Sequence, residues 1–236
     1  MKLFYDPDIS GDYHILNEEE SKHCSKVLRL KNNEEVFITD GKGNLYKSVI
    51  AEITSKKTIL KIVSTITDFE KRDYYLHIAI APTKNNDRIE WFVEKATEIG
   101  VDEITPVICK NSERKIIKTD RLNRIAEAAM KQSLKAYHPK INEPLDFAML
   151  LNQCEKYNQN FIAYCDEISD KQYLGKIIKP KSSSIILIGP EGDFNKEEIQ
   201  MAKSTGFTIV SLGKSRLRTE TAGVVACDIV SVVNQL

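Results

Sequence analysis

The rhythm of apolar and polar positions in this chain changes near residue 70. Before it, the two kinds alternate in short runs: Val36-Phe37-Ile38-Thr39, then Leu45 to Ile53, then Thr58 to Ile66. A period of two predicts strands with one covered face. Asp40-Gly41-Lys42-Gly43 joins the first two runs as a hairpin turn, and the charged turn Ser55-Lys56-Lys57 separates the last two. One helix interrupts this region. Asn17 is placed to cap it, Glu20 follows three residues later as in a capping box, and it carries His23, Val27 and Leu28. Short strands with a single helix suggest a small β-barrel. The polar stretch from Thr67 to Asp73 is the best linker, which divides the chain into residues 1–70 and 74–236.

Beyond Tyr74, strand and helix patterns take turns. Tyr75 to Ile80 reads as a strand. Ile89, Phe92, Val93, Ala96 and Ile99 recur at helical spacing, and Gly100 stands where a C-cap is wanted. Ile104 to Cys109 is strand-like, and Thr119 is placed to cap a helix bearing Leu122, Ile125, Ala126 and Ala129. Phe161 to Tyr164, Ile185 to Ile188 and Phe207 to Leu212 are short apolar runs of the kind buried in parallel sheets. Asn195 with Glu198 makes a second capping box, for a helix that stops at Gly206. Ala222 to Val233 is a nearly all-apolar closing helix, expected against the sheet or a partner. This alternation predicts an α/β domain, a mostly parallel sheet with helices on its faces.

Composition narrows the function classes. With 236 residues, 42% hydrophobic and 29% charged, the chain can build a real core, and a formal net charge of zero gives no global case for nucleic acid. The local balance differs: between Ile108 and Lys140 nine Lys or Arg face three acids. Five cysteines are widely spaced, odd in number and never in a CxxC pair, which argues against a disulfide framework or a metal site and suits a reducing cytoplasm. No apolar run approaches the ~20 residues that span a bilayer. The start, Met1 to Asp6, has no signal-like apolar region, so neither export nor a membrane is expected.

Chemistry concentrates at two strand ends. The run Ile185–Ile188 leads into Gly189-Pro190-Glu191-Gly192-Asp193-Phe194, and the run Phe207–Leu212 into Gly213-Lys214-Ser215-Arg216-Leu217-Arg218-Thr219-Glu220-Thr221-Ala222. Ligands of α/β sheets settle at the carboxyl ends of strands. There is no GxxxxGK[ST] and no GxGxxG, which disfavours a nucleotide-binding enzyme of the common kinds. Two glycines around Pro190 and Glu191 instead make a compact loop with accessible main-chain groups, suited to a neutral heterocycle and an amino-acid-like moiety. At the second junction Thr219 or Thr221 could serve as the helix cap. Arg218 and Glu220 exceed what a cap requires.

These two loops resemble those of the ribosomal RNA small subunit methyltransferase E family, of the knotted SPOUT class. The likeness extends along the chain. It includes His23 with Val27-Leu28-Arg29, the stretch Asp87-Arg88-Ile89-Glu90-Trp91 through Gly100, Asn111-Ser112-Glu113-Arg114, and Ala128-Ala129 with Gln132-Ser133. Departures are Asp193 where the family usually has Gly, Asn195 where it has Ser, and Leu134-Lys135 where it often has Gly-Arg. Lys135 offers a point charge rather than a planar fork.

The resemblance implies an N-terminal PUA-like RNA-binding barrel (1–70) and a C-terminal SPOUT α/β domain (74–236) with a deep trefoil knot, although true knots are nearly absent among folds. It implies transfer of a methyl group from S-adenosylmethionine to N3 of a uridine in 16S ribosomal RNA, by a homodimer. The cofactor would meet Ile188, Gly189, Pro190, Glu191, Gly192, Leu212, Gly213, Leu217, Arg218, Thr219 and Ala222, its adenine bonded chiefly to main chain around Gly189, Gly192, Leu212 and Leu217. Arg218 would stabilise charge on the base, and Glu220 would either orient Arg218 or accept the proton. Lys26, Arg29, Arg88, Arg114 and Lys135 would hold RNA, while His23 reads as structural. Open beside this are a SPOUT enzyme for another ribosomal or transfer RNA site, and a ribosome assembly factor without catalysis.

Overall fold

The computed structural model describes residues 1–54, 56–165 and 171–236. Ser55, in the expected charged turn, lies outside the described residues. The chain divides into two compact units, residues 1–71 with 130–138 and residues 72–129 with 139–236.

In the first unit, β1 (Leu3–Tyr5), β2 (Tyr13–Leu16), α1 (Glu18–Lys22), β3 (Glu35–Thr39), β4 (Leu45–Ile53) and β5 (Thr58–Ile66) follow the alternating pattern. The strands form one sheet in the order β1-β3-β4-β5-β2, with bulges in the β4–β5 ladder that curl it. Phe4, Leu16, Val36, Ile38, Ile50 and Leu60 fill its concave face. Asn17 caps α1, its Oδ1 accepting the Glu20 N–H at 2.8 Å, while the Glu20 carboxylate meets Lys131. After Lys22 the helix widens to a π turn, His23–Val27, and Arg29 follows at φ 51°. Residues 130–138, which the linear reading assigned to the C-terminal domain, bond to the hairpin turn instead. The Gly43 N–H donates to Ala136 O, the His138 N–H donates to Gly41 O, both at 2.9 Å, and the rings of Tyr5 and His138 stack.

The second unit contains β6 (Tyr75–Ile80), α2 (Asn86–Ile99), β7 (Glu103–Ile108), the start of α3 (Thr119–Gln132), β8 (Lys140–Ile141), β9 (Leu145–Asp146), α4 (Phe147–Leu151), β10 (Gln159–Ala163), β11 (Gln172–Tyr173), α5 (Leu174–Ile177), β12 (Ser183–Ile188), α6 (Lys196–Ser204), β13 (Thr208–Ser211) and α7 (Thr219–Gln235). Its strands run parallel in the order β11-β13-β10-β12-β6-β7-β8, with β9 also on β7. Alternation sends Ile78, Ile80, Ile186 and Ile188 to a core shared with α2 and α7, and Ala79, Ile185 and Leu187 to one shared with α4 and α6. Covered on both faces, these strands need continuous apolar runs. Among the described residues, no helix is long and apolar enough to cross a membrane.

Helix ends meet two expectations and correct three. Gly100 ends α2 at φ 120°, its N–H donating to Ala96 O, a conformation that strains any residue with a Cβ. Asn195 and Glu198 form the reciprocal capping box of α6. Thr119, however, lies inside the first turn of α3, and its hydroxyl donates to Glu143 rather than capping. The closing helix starts one turn earlier than its apolar run, because polar Thr219 and Glu220 are themselves buried. Arg218, not a threonine, occupies the cap position.

Candidate active site

The carboxyl ends of β10, β12 and β13 open into a cavity of about 790 Å³. All eleven residues expected at the cofactor line it. β12 and β13 are not neighbours: β10 lies between them, so their tips stand two ladders, roughly 10 Å, apart. The end of β10 therefore adds Ala163, Tyr164 and Cys165 to the wall. The run Phe161 to Tyr164 is legible as a strand, but nothing in the sequence places it between the two loop-bearing strands.

Main-chain contacts fix the loop after β12. Pro190 is buried, the Asp193 N–H donates to Pro190 O at 2.9 Å, and Phe194 packs on Phe147. A Cβ on Gly189 would stand 3.1 Å from the Phe194 ring. Asp193 takes φ 59°, tolerable for Asp, and its carboxylate accepts the Phe194 and Cys165 N–H groups at 2.8 and 2.9 Å. Asn111 Nδ2 donates to the carbonyls of Gly192 and Asp193 at 3.1 and 3.0 Å. Across the cavity, the Thr219 hydroxyl donates to Gly189 O at 3.0 Å and ties α7 to this loop. The cavity is large enough for a drug-sized ligand, and Lys171, Glu191, Arg216 and Arg218 are among the polar residues that line it.

Arg218 and Glu220 point different ways, as a cap and a first-turn residue must. Arg218 is exposed at the cavity, its guanidinium without a hydrogen-bond or ion-pair partner among the described residues. Glu220 is 6% exposed and turns toward α2, where Arg88 Nε stands 3.8 Å from its Oε1. Its Oε2 has no partner among the described residues. Orientation of Arg218 by Glu220 is thus not what the geometry provides.

The residues expected at RNA fall in both units. Lys26 and Arg29 are exposed in the first unit, which also contains Lys135. In the second unit, Arg88 lies between Glu220 and Glu191, and the Arg114 guanidinium donates twice to Lys84 O, at 3.2 and 2.9 Å. The basic stretch from Lys110 to Lys140 is partly consumed in the same way, since Arg121 pairs with Glu90, Lys131 with Glu20 and Lys140 with Glu103.

An RNA methyltransferase domain matches residues 70–231, and an RNA methyltransferase PUA domain matches residues 16–63. A ribosomal RNA small subunit methyltransferase E of Mesomycoplasma hyopneumoniae is 31% identical, the match covering 95% of this chain and 96% of that protein. The chain belongs to the ribosomal RNA small subunit methyltransferase E family. A crystal structure from Porphyromonas gingivalis, described as a probable rRNA-methyltransferase, superposes with a TM-score of 0.92 at 40% identity, covering 100% of this chain and 99% of that one. The family member from Neisseria gonorrhoeae, solved bound to S-adenosyl methionine, gives a TM-score of 0.84 at 28% identity over 97% of this chain and 95% of that one. Family membership accounts for two matched regions joined near residue 70.

Proposed function

We propose that this family member methylates N3 of a uridine in 16S ribosomal RNA, using S-adenosylmethionine held in the cavity at the ends of β10, β12 and β13. The observation that carries the reading is the convergence of loops 189–194 and 212–218 on one cavity at the carboxyl ends of the strands. Gly189, Pro190, Glu191, Gly192, Leu212, Gly213 and Leu217 would hold the adenine and ribose, with Ile188, Thr219 and Ala222 beneath them. Bound there, S-adenosylmethionine supplies a methyl group already activated on sulfur.

What remains for the protein is alignment, charge and a proton. N3 of uracil carries a proton at neutral pH and must lose it to attack, which leaves negative charge on the flanking carbonyl oxygens. Arg218, exposed at the cavity, is assigned to that charge. Glu220 is assigned to the proton, because its buried Oε2 lacks a partner among the described residues and its other oxygen faces Arg88 rather than Arg218.

The N-terminal unit (1–70 with the segment that joins it) we read as a PUA-like barrel that docks RNA through Lys26 and Arg29, aided by Lys135. We read the remainder as a SPOUT domain with a trefoil knot. In support, the chain leaves β13 near one edge of the sheet and returns past the 189–194 loop, so that α7 packs on β6, β12 and α2. Val224, Val225 and Val232 on α7 stay incompletely buried, which supports a homodimer, in the cytoplasm where ribosomal subunits are built. The test is incubation with labelled S-adenosylmethionine and small subunits that lack the modification, followed by mapping of the methylated base. Label at uridine N3 is expected; no label, or label on another RNA, overturns the proposal.

A further inference from the structure

We propose that Arg88 is a positioning residue of the methyl-transfer site, holding Glu220 and the 189–194 loop in register, and is not a contact to RNA. This rests on the reading of Glu220 given above.

The helix packing builds the arrangement. Arg88 and Phe92 lie one turn apart on the same face of α2. Phe92 is fully buried against α7 at Gly223, where a Cβ would come within 2.5 Å of its ring. That close approach sets Glu220, one turn before Gly223, opposite Arg88, one turn before Phe92. The guanidinium then stands between two carboxylates, 3.8 Å from Glu220 and 3.9 Å from Glu191. Glu191 is itself fixed, since its Oε1 accepts the Lys84 N–H at 2.9 Å. Both gaps to Arg88 exceed hydrogen-bond length, so the link is Coulombic and needs a cation rather than a fork.

Burial makes the link consequential. Glu220 is 6% exposed, and a buried carboxylate without hydrogen bonds is costly unless a charge opposes it. Among the described residues, Arg88 is its ion-pair partner. Removing Arg88 leaves Glu220 to turn away, while Phe92 and Gly223 keep the helices packed. An arginine spent on RNA would behave otherwise: its loss would weaken RNA binding and reduce the salt slope by about one.

The experiment compares Arg88→Ala, Arg88→Lys, Glu220→Gln and the Arg88→Ala/Glu220→Gln double variant of the full chain, on unmodified small subunits. Expected are a fall of at least tenfold in kcat for Arg88→Ala, with KM for RNA and the salt slope within twofold of the parent. Arg88→Lys should recover most of the rate, and the double variant should be no slower than Glu220→Gln alone. A raised RNA KM with a shallower salt slope, or losses that multiply in the double variant, would overturn the proposal. Should Arg88→Ala fail to fold, Arg88→Lys decides: a rate near the parent's supports the Coulombic link, and a rate as low as Glu220→Gln refutes it. Failure of the parent chain to transfer methyl would instead sink the function proposed for the site.

Discussion

Two groups of polar side chains, one at each end of the parallel sheet, are held in opposite ways. At the amino ends of β6 and β7, Glu103 accepts hydrogen bonds from Tyr75 and Tyr157 hydroxyls at 2.8 and 3.0 Å and from Asn142 Nδ2 at 2.7 Å. His77 beside it is bonded through both ring nitrogens, to Thr105 Oγ1 at 2.7 Å and to the Tyr157 hydroxyl at 2.8 Å. This cluster also borders a cavity, of about 230 Å³, yet each of its polar groups is spent on another. At the carboxyl ends, the Arg218 guanidinium has no partner among the described residues, and Glu220 Oε2 is buried with none. A satisfied network stabilises a scaffold, whereas a charged side chain left unpaired on a cavity wall, as Arg218 is, stands ready for a ligand. Cavity and charge alone do not separate the two cases.

The largest effect expected from this contrast is at Arg218. Arg218→Ala should cut methyl transfer about 10²–10³-fold, the scale of losing one preorganised donor to developing charge. Calorimetric affinity for S-adenosylmethionine should stay within a few-fold of the parent's, and the melting temperature should not move, because the side chain is exposed. Loss of cofactor affinity with an unchanged rate at saturation would give Arg218 to the cofactor instead.

At the other end the expected effect is on stability and depends on pH. Burial pushes the His77 imidazole down to about 4, with Glu103 opposing. Burial pushes the Glu103 carboxyl up, but His77 and the bonds from Asn142, Tyr75 and Tyr157 outweigh it and hold it at about 2. The sign is the same for both groups. Between about 6.5 and 4 the unfolded chain binds a proton at His77 that the folded chain does not, so stability falls as the pH is lowered through that window. The Glu103 contribution is lost further down, from about 4.5 toward 2. Urea unfolding of the parent should therefore lose up to about 3 kcal/mol between pH 6.5 and 4 on account of His77. His77→Gln should flatten that slope while leaving the rate per folded molecule unchanged. An equally steep slope in the variant would mean that the network is not built around a neutral histidine.

Periodicity carried most of the fold. Runs such as Ile185–Ile188 and Tyr75–Ile80 are apolar because they are covered on both sides, and that is visible without coordinates. The loop residues were legible for a similar reason: Gly189, Gly192 and Gly213 punctuate strand ends where ligands bind. What was not legible depended on which distant residues meet. Residues 130–138 follow a helix and carry no sign that Ala136 and His138 bond to the turn at Gly41 and Gly43. The early start of α7 was hidden because Thr219 and Glu220 are polar, and polarity predicts exposure that the packing overrides. Arg88 and Arg114 are expected at RNA from the resemblance; only the fold could bring them to Glu191, Glu220 and Lys84 O. Neither His77 nor Glu103 was singled out, since a His inside a strand offers no pattern of its own.

The smallest effect belongs to Asn111, and it refines the contrast at the site end. Its amide donates to two carbonyls of the loop after β12, but it does so from an exposed position where water competes. Such bonds contribute about 0.5–1.5 kcal/mol each, near the lower figure when solvated. They hold the loop in shape without touching the sheet core. Asn111→Ala should thus leave the melting temperature within about 1 °C, since stability elsewhere is set by buried groups. Affinity for S-adenosylmethionine should fall about two- to fivefold by calorimetry, the cost of ordering a looser loop on binding. A drop in melting temperature comparable to that of a buried-network variant such as Tyr157→Phe would show that the site end, too, is built as scaffold, and the distinction between the two ends would no longer hold.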